Sequence, residues 1–428
     1  MRTSTIFRIS LVGAAVLMVA PAAEAARRFS LAGNALIEDQ DDVFLFPQKV
    51  VDNTRLISFD YGASSASGDG LLVLGDKYQA WGVAVHRGDV MSPWKVGTDG
   101  DLPFLGGYGS GIGVAVQAQT DPAADPSADP TGGGAGAGGG GSMISANPKT
   151  VFDILYGSAD PGKTSWGLRL SVGSDKTWAD PKANGATESF DSEHFLAATF
   201  GYSDKTGRFE YDASAALLYD MGTHVQPGPG DADSSRIDLS LTGRGNMPMD
   251  GEKDTRLGLL GQLRYGTSTV DMKAAGKDVS DDLRLVVGAG PLIVPNDRMT
   301  VAAYGMLGVV RQTRDPNSKA KGDTQGALTF LFPGVNFATE IKLKDWLFFR
   351  TGTEYTYMID QTDVGTSTSG GTATSKRADS FVWNAGLGFK FGDLNIDGAL
   401  KHEFITEGPD FLGGDSPLFA MVSANAKF

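Results

Sequence analysis

The sequence predicts an all-β chain, a transmembrane antiparallel up-and-down β-barrel of about 14–16 strands. Three observations carry this. From Val151 onward, segments of about ten residues alternate apolar and polar side chains, the length a tilted strand needs to cross a bilayer. The connections between them alternate between short and long. The last segment keeps the alternation and ends on Phe428.

The alternation is clearest over 208–220. Phe209, Tyr211, Ala213, Ala215, Leu217 and Tyr219 fall on one face, and Arg208, Glu210, Asp212, Ser214, Ala216, Leu218 and Asp220 on the other. A strand sends successive side chains to opposite faces, so one face is apolar with aromatics at its ends, as on the lipid side of a barrel strand. Trp166 to Val172, Leu257 to Tyr265, Leu283 to Ala289 and Phe381 to Phe391 repeat the pattern. A soluble β-sandwich also alternates. The connections separate the two readings: 158–163, 204–206, 295–298, 343–345 and 392–393 are short, whereas 175–192, 221–234, 267–281, 312–324, 359–378 and 405–416 are long. Short turns at one end and long loops at the other mark an outer-membrane barrel, with the turns periplasmic. The connection 245–254 is intermediate in length.

Residues 1–25 read as a signal peptide: Arg2 and Arg8, a 12-residue apolar run from Ile9 to Ala20, and the small-x-small site Ala23-Glu24-Ala25. The run is too short to span a bilayer as a helix, and the mature chain is expected to begin at Ala26. The remaining composition suits a barrel in the bacterial outer membrane. There are 58 glycines and no cysteines, and 51 acidic against 37 basic residues give a net charge of −14. That charge argues against nucleic acid as a partner, and the missing thiols exclude disulfides.

Before Val151 the pattern is less regular. Arg55 to Tyr61, Gln79 to His86 and Gly111 to Gln119 are strand candidates, with Leu71 to Leu74 a further segment able to pair locally. With thirteen strands downstream, the three candidates make sixteen. Thr120 to Ser142, with three Asp-Pro pairs and a polyglycine run, reads as a disordered external loop. Asp121, Asp125 and Asp129 lack the ligand spacing of a calcium loop.

The final segment, Leu418 to Phe428, is similar to the C-terminal strand of outer-membrane proteins, whose terminal aromatic is read by the assembly machinery. A barrel in lipid has no open edge, so this strand is expected to pair with the first. Leu31-Ala32-Gly33-Asn34-Ala35, the acidic run Glu38 to Asp42 and Phe46-Pro47 precede the first strand. This stretch resembles the N-terminal plug of the long-chain fatty-acid transporter family, and Trp81-Gly82-Val83-Ala84-Val85 resembles its early glycine-rich strand. The family's Asn-Pro-Ala element is Phe46-Pro47-Gln48 here. The resemblance implies 14 strands, a lumen plug at 26–53 within which Gly33, Asp41, Asp42 and Pro47 take part, and a barrel at 54–428. The alternative for 26–53 is an acidic N-terminal tail with a short strand.

No catalytic, cofactor or metal motif stands out. His86, His194, His224 and His402 form no ligand pair. His194 and His224 lie near acidic loop positions (Asp191, Asp231, Asp233), and a rim hydrolase is the minor reading. The inward faces carry Arg169, Arg208, Glu210, Asp212, Arg256, Arg264, Arg284, Arg350, Glu354 and Lys390, which either line a polar channel or pair to fill a narrow lumen. The expected function is passive uptake of small molecules, hydrophobic ones included. An apolar external groove would come from Trp178 and Phe190, Met247 and Met249, or Phe411 and Leu412. The alternatives are a general porin and a non-conducting surface barrel. The expected partners are membrane lipid, the assembly machinery acting through the last strand, and an unidentified solute.

Overall fold

A computed structural model describes residues 26–61, 68–87, 150–179, 189–225, 232–249, 254–272, 276–315, 325–366, 369–400 and 419–428. Sixteen strands form one closed antiparallel barrel in sequence order. They are β1 (Leu56–Tyr61), β2 (Gly68–Gly75), β3 (Gln79–Arg87), β4 (Thr150–Asp160), β5 (Thr164–Ala179), β6 (Ser189–Asp204), β7 (Glu210–Val225) and β8 (Ala232–Pro248). The ring continues with β9 (Thr255–Met272), β10 (Gly276–Asn296), β11 (Met299–Asp315), β12 (Gln325–Lys344), β13 (Leu347–Thr366), β14 (Ser369–Phe391), β15 (Leu394–Leu400) and β16 (Phe419–Lys427). β16 closes on β1, with Ala424 opposite Phe59, and the Phe428 amide donates to the Arg55 carbonyl at 3.0 Å. Every edge is thereby paired.

The ring has sixteen strands, not the fourteen implied by the family resemblance. Its membership also differs from the sequence reading. Gly68–Gly75 is a full strand between β1 and β3, and β3 pairs directly with β4. The candidate Gly111 to Gln119 and the segment 120–142 lie outside the described residues, as do residues 1–25. The tight turns match in place: 161–163, 205–209, 297–298, 345–346 and 392–393 join strands at one end. The other end departs from expectation. β9 and β10 run on to Met272 and from Gly276, and β13 and β14 to Thr366 and from Ser369, across what read as loops 267–281 and 359–378. Beyond a bilayer neither face of a strand must be apolar, so alternation fades while the backbone ladder continues.

Outward and inward faces separate cleanly. Leu217, Tyr219, Leu239, Leu263, Leu285, Leu307 and Phe337 point out and are 40–53% exposed. Their neighbours Leu218, Asp238, Arg264, Val286 and Ala338 point in and are buried. Near the tight turns the outward face carries an aromatic belt. Tyr156 packs between Trp81 and Trp166 (centroids 4.5 and 5.3 Å), Tyr211 meets Tyr202 and Phe209, and Trp346 stacks on Phe389. Amphipathic rings in this position suit a headgroup layer. Tyr211 and Tyr219 lie eight residues apart on one outward face, roughly 26 Å along the strand. If that band faces lipid, Leu285→Arg should destabilise the barrel by about 2–4 kcal/mol, measured by urea unfolding in lipid vesicles. An unchanged midpoint would argue that the face meets water.

Candidate functional site: the occupied lumen

Residues 26–53 run inside the ring. They form two short helices (Ala26–Ser30 and Asp42–Leu45) and a 3-10 helix (Pro47–Asn53) led by Pro47. The chain reverses after the first helix through Ala32 and Gly33, whose φ values are 49° and 66°. Gly33 takes that conformation without a Cβ clash.

The segment is hydrogen-bonded to inward side chains around most of the circumference. The Ala26 amide donates to Ser423 Oγ at 2.7 Å, and the Arg27 guanidinium reaches Glu340 at 3.0 Å. The Asn384 amide donates to the Phe29 carbonyl at 2.9 Å. The Asn336 amide donates to the Ala32 carbonyl at 2.9 Å and accepts from Asn34 at 2.7 Å. On the other side, Arg169 donates to the Phe44 carbonyl at 2.7 Å and Gln48 to Ser203 Oγ at 2.8 Å. A chain that bonds β5, β6, β12, β14 and β16 at once can lie nowhere but within the barrel.

A buried ion network forms the centre. Asp42 accepts from Arg28 and, at 2.8 Å, from Arg244 of β8; Arg244 also reaches Asp212 of β7 at 2.8 Å and the Ala35 carbonyl at 3.1 Å. Lys49 reaches Asp212 at 3.2 Å and Glu38 at 3.1 Å. The side chains of Arg28, Asp42, Arg244 and Lys49 are 2–4% exposed, so each charge depends on its partners in place of water. Burial alone would push the Asp42 carboxyl up, but Arg244 and Arg28 outweigh it and hold it down to about 2. Burial would lower Lys49, and Glu38 and Asp212 raise it instead. Apolar contact supplements the charges: Leu31, Leu36 and Ile37 pack on Leu260, Val286, Tyr304, Met306 and Leu331 of the β9–β12 wall.

Inward glycines give the backbone of the segment its room. A Cβ on Gly167 would sit 2.4 Å from the Gln48 nitrogen, one on Gly352 2.3 Å from the Leu31 carbonyl carbon, and one on Gly258 2.4 Å from Leu36 Cδ2. The small inward residues on these strands are therefore matched to one occupant.

The structure distributes the sequence-predicted residues into several groups. Arg169 and Asp212 contact the lumen segment as described, and Arg169 also pairs with Asp153 at 2.6 Å. Arg350 binds Glu340 and Asp397, and Glu354 accepts from Asn336 at 3.1 Å. Arg264 and Arg284 belong to a second cluster on β7–β10, away from residues 26–53. There Asp238 takes Arg264 at 2.8 Å and Arg236 at 2.7 Å, and Asp282 takes Arg284 at 2.7 Å. Arg256 and Glu210 form an exposed pair at the tight-turn rim, 2.9 Å apart, and Lys390 is exposed at the same end. Arg208 is a correction: it lies in the turn 205–209, exposed, and is no strand residue. Its apparent parity came from Phe209 and Tyr211, and in fact the strand starts at Glu210. Met247 and Met249 also sit at the tight-turn end, so they cannot form a groove among the long loops. Phe411 and Leu412 lie outside the described residues.

Asp41 has the opposite setting from Asp42. Burial, then Asp60 and Asp39, push its carboxyl well above the ordinary range, with Arg28 pulling the other way and Asp69 adding to the rise. A raised carboxyl favours the docked arrangement while protonated. Its contribution is full below the free value of about 3.9 and is lost as pH rises through the docked value. Docking of 26–53 should thus weaken as pH rises across that window, and Asp41→Asn should remove this part of the pH dependence. Protease susceptibility of residues 26–53 against pH is the measurement.

No family model and no curated protein matches the sequence. Solved structures similar to the chain include the toluene transporter of Pseudomonas putida, at 12% identity and TM-score 0.38, covering 95% of this chain and 98% of that one. Another is the ferric yersiniabactin uptake receptor of Yersinia pestis, at 9% identity and TM-score 0.36, covering 87% and 79%. A third is the alcaligin outer membrane receptor of Bordetella pertussis, at 8% identity and TM-score 0.37; the chain covers 81% of itself and 60% of that receptor, less than two thirds of its length.

Proposed function

We propose that the protein is an outer-membrane transporter for passive uptake of small molecules, apolar ones included, with residues 26–53 as a lumen plug. The observation that supports this best is the occupancy of the lumen. An open porin needs a continuous aqueous path, and here a chain segment is bonded to the wall around most of the ring. The plug sits toward the tight-turn end, since its partners Ser203, Asp212, Gly167 and Glu340 all lie within about six residues of those turns, some 20 Å of strand. The lumen beyond it is uneven. Val151, Phe195, Ala197, Ala216 and Leu218 form an apolar inward patch on β4–β7, and Asp220, Asp238, Arg264 and Arg284 a charged one on β7–β10. Such walls suit a solute with an apolar body and a polar group.

Flux into proteoliposomes tests the proposal. A small amphipathic aromatic acid is expected to enter faster than a sugar of equal mass. Equal entry would indicate a general porin.

The second reading, a closed barrel acting at the cell surface, rests on strand length. β10, β12, β13 and β14 have 20–23 residues, about twice what a bilayer requires. Entry of neither solute would favour it.

A further inference from the structure

Asp60 stands in an inward row of carboxylates. In register, Asp69 of β2 faces Asp60 of β1, Asp60 faces Ser423 of β16, and Ser423 faces Asp397 of β15. Asp397 is paired with Arg350. Asp60 is 7% exposed, no described lysine or arginine forms an ion pair with it, and its Oδ1 is buried without a hydrogen-bond partner. A carboxyl buried in that position either holds a proton or meets a cation.

One candidate is a main-chain nitrogen. Ala26 is fully buried, and its nitrogen lies 2.7 Å from Oγ of Ser423, the residue directly opposite Asp60. Opposed side chains on adjacent strands have Cβ atoms about 4.5–5.5 Å apart, so one hydroxyl separates that nitrogen from the Asp60 carboxylate. In the sequence, Ala26 follows the small-x-small site Ala23-Glu24-Ala25. Hydrolysis there by a leader peptidase adds water across the Ala25–Ala26 amide. The carboxylate stays on Ala25, and the amino group freed on Ala26 takes up a proton. The resulting ammonium has three donors where the amide had one. Ser423 Oγ accepts one of them, and Asp60 Oδ1, without a hydrogen-bond partner on the strand position opposite Ser423, is the acceptor open to another.

We infer that the α-ammonium created at Ala26 is the buried counter-ion of Asp60, and that this ion pair fastens the lumen segment to the seam where β1 closes on β16. A chain that keeps its leader has a neutral amide at Ala26, so the fastening forms after processing and not before. Closure of the lumen is then coupled to maturation. The effect on conductance rests on the plug reading above; the ion pair itself rests on the seam geometry.

The test is reductive methylation of the folded full chain, expressed with its leader and extracted from membranes, with formaldehyde and cyanoborohydride. The N-terminal peptide is read by mass spectrometry. It is expected to begin at Ala26, and its amine to react at least about tenfold more slowly than exposed Lys163. Asp60→Asn should abolish that protection and Asp60→Glu restore it. If Asp60→Asn does not assemble, Ser423→Ala decides, because it removes the positioning hydroxyl and should also speed methylation. A different N-terminal residue, or equal methylation in wild type and variants, overturns the inference. Conductance of the same samples separates the two claims. A protected Ala26 in an open wild-type channel would sink the plug reading and leave the ion pair; a reactive Ala26 in a closed channel would do the reverse.

Discussion

Arg244→Ala should open the lumen more than any other single side-chain loss. Arg244 is the one residue of β8 that joins the plug to the wall by charge, reaching Asp42, Asp212 and the Ala35 carbonyl together. Its removal leaves two carboxylates, 2% and 7% exposed, with only Arg28 and Lys49 to balance them. Breaking a buried pair from one side costs about 3–5 kcal/mol, because the remaining charge is uncompensated. Assigned to the docking equilibrium, that is roughly a hundred- to several-thousandfold rise in the undocked population. Open probability in a planar bilayer reads this directly. Arg244→Lys should rescue poorly, since an ammonium lacks the planar fork that serves Asp42 and Asp212 at once. The barrel should stay folded, because β8 pairs with β7 and β9 through its backbone. A closed Arg244→Ala channel would show that the network is incidental to closure.

The second large effect is steric. Gly167→Val places a Cβ 2.4–2.7 Å from three backbone atoms of Pro47 and Gln48. Backbone cannot swing aside as a side chain can, so the 3-10 helix must leave the wall or β5 must bend. Overpacking of this kind costs about 1–3 kcal/mol, and here it falls on the contact between β5 and the 3-10 helix. The expected result is faster proteolysis within residues 26–53 with an unchanged barrel. Gly261→Val is the control: nothing lies within 4 Å of its Cβ direction, so it should leave both readouts as in the wild type. Equal behaviour of the two variants would contradict the fit between wall and plug.

The barrel was legible in the sequence because its physics is periodic. A lipid face and a lumen face impose period two on every strand, and Leu283 to Ala289 or Phe381 to Phe391 show it without knowledge of any partner. The C-terminal strand was legible for the same reason, and closure on β1 follows from the need to pair every edge. Where the constraint lapses, so does the signal. Past the bilayer, residues such as Thr267 to Val270 are free of a lipid face, and the ladder there reads as loop. Gly68–Gly75 is short and glycine-rich, which hid a strand. Arg208 was misplaced by one turn because two aromatics beside it continued the parity.

The lumen was less readable. Gly33, Asp41, Asp42 and Pro47 drew attention through a resemblance, but nothing in a single sequence pairs Asp42 with Arg244, about two hundred residues away. Arg244 itself lies in Thr242 to Pro248, which resembles a turn more than a strand. Asp153, Glu340 and Asn336 were invisible as partners because complementarity across a lumen has no local spacing. Inward glycines are a usable signal: Gly157, Gly167 and Gly201 fall on lumen parity on three successive strands, where an empty channel has no need of missing side chains.

The most direct measurement is single-channel conductance of the refolded mature chain, with and without residues 26–53. The intact chain is expected to be closed, with rare openings, and the shortened one to conduct steadily. Equal conductance of the two would contradict the assignment of those residues as the barrier in the lumen.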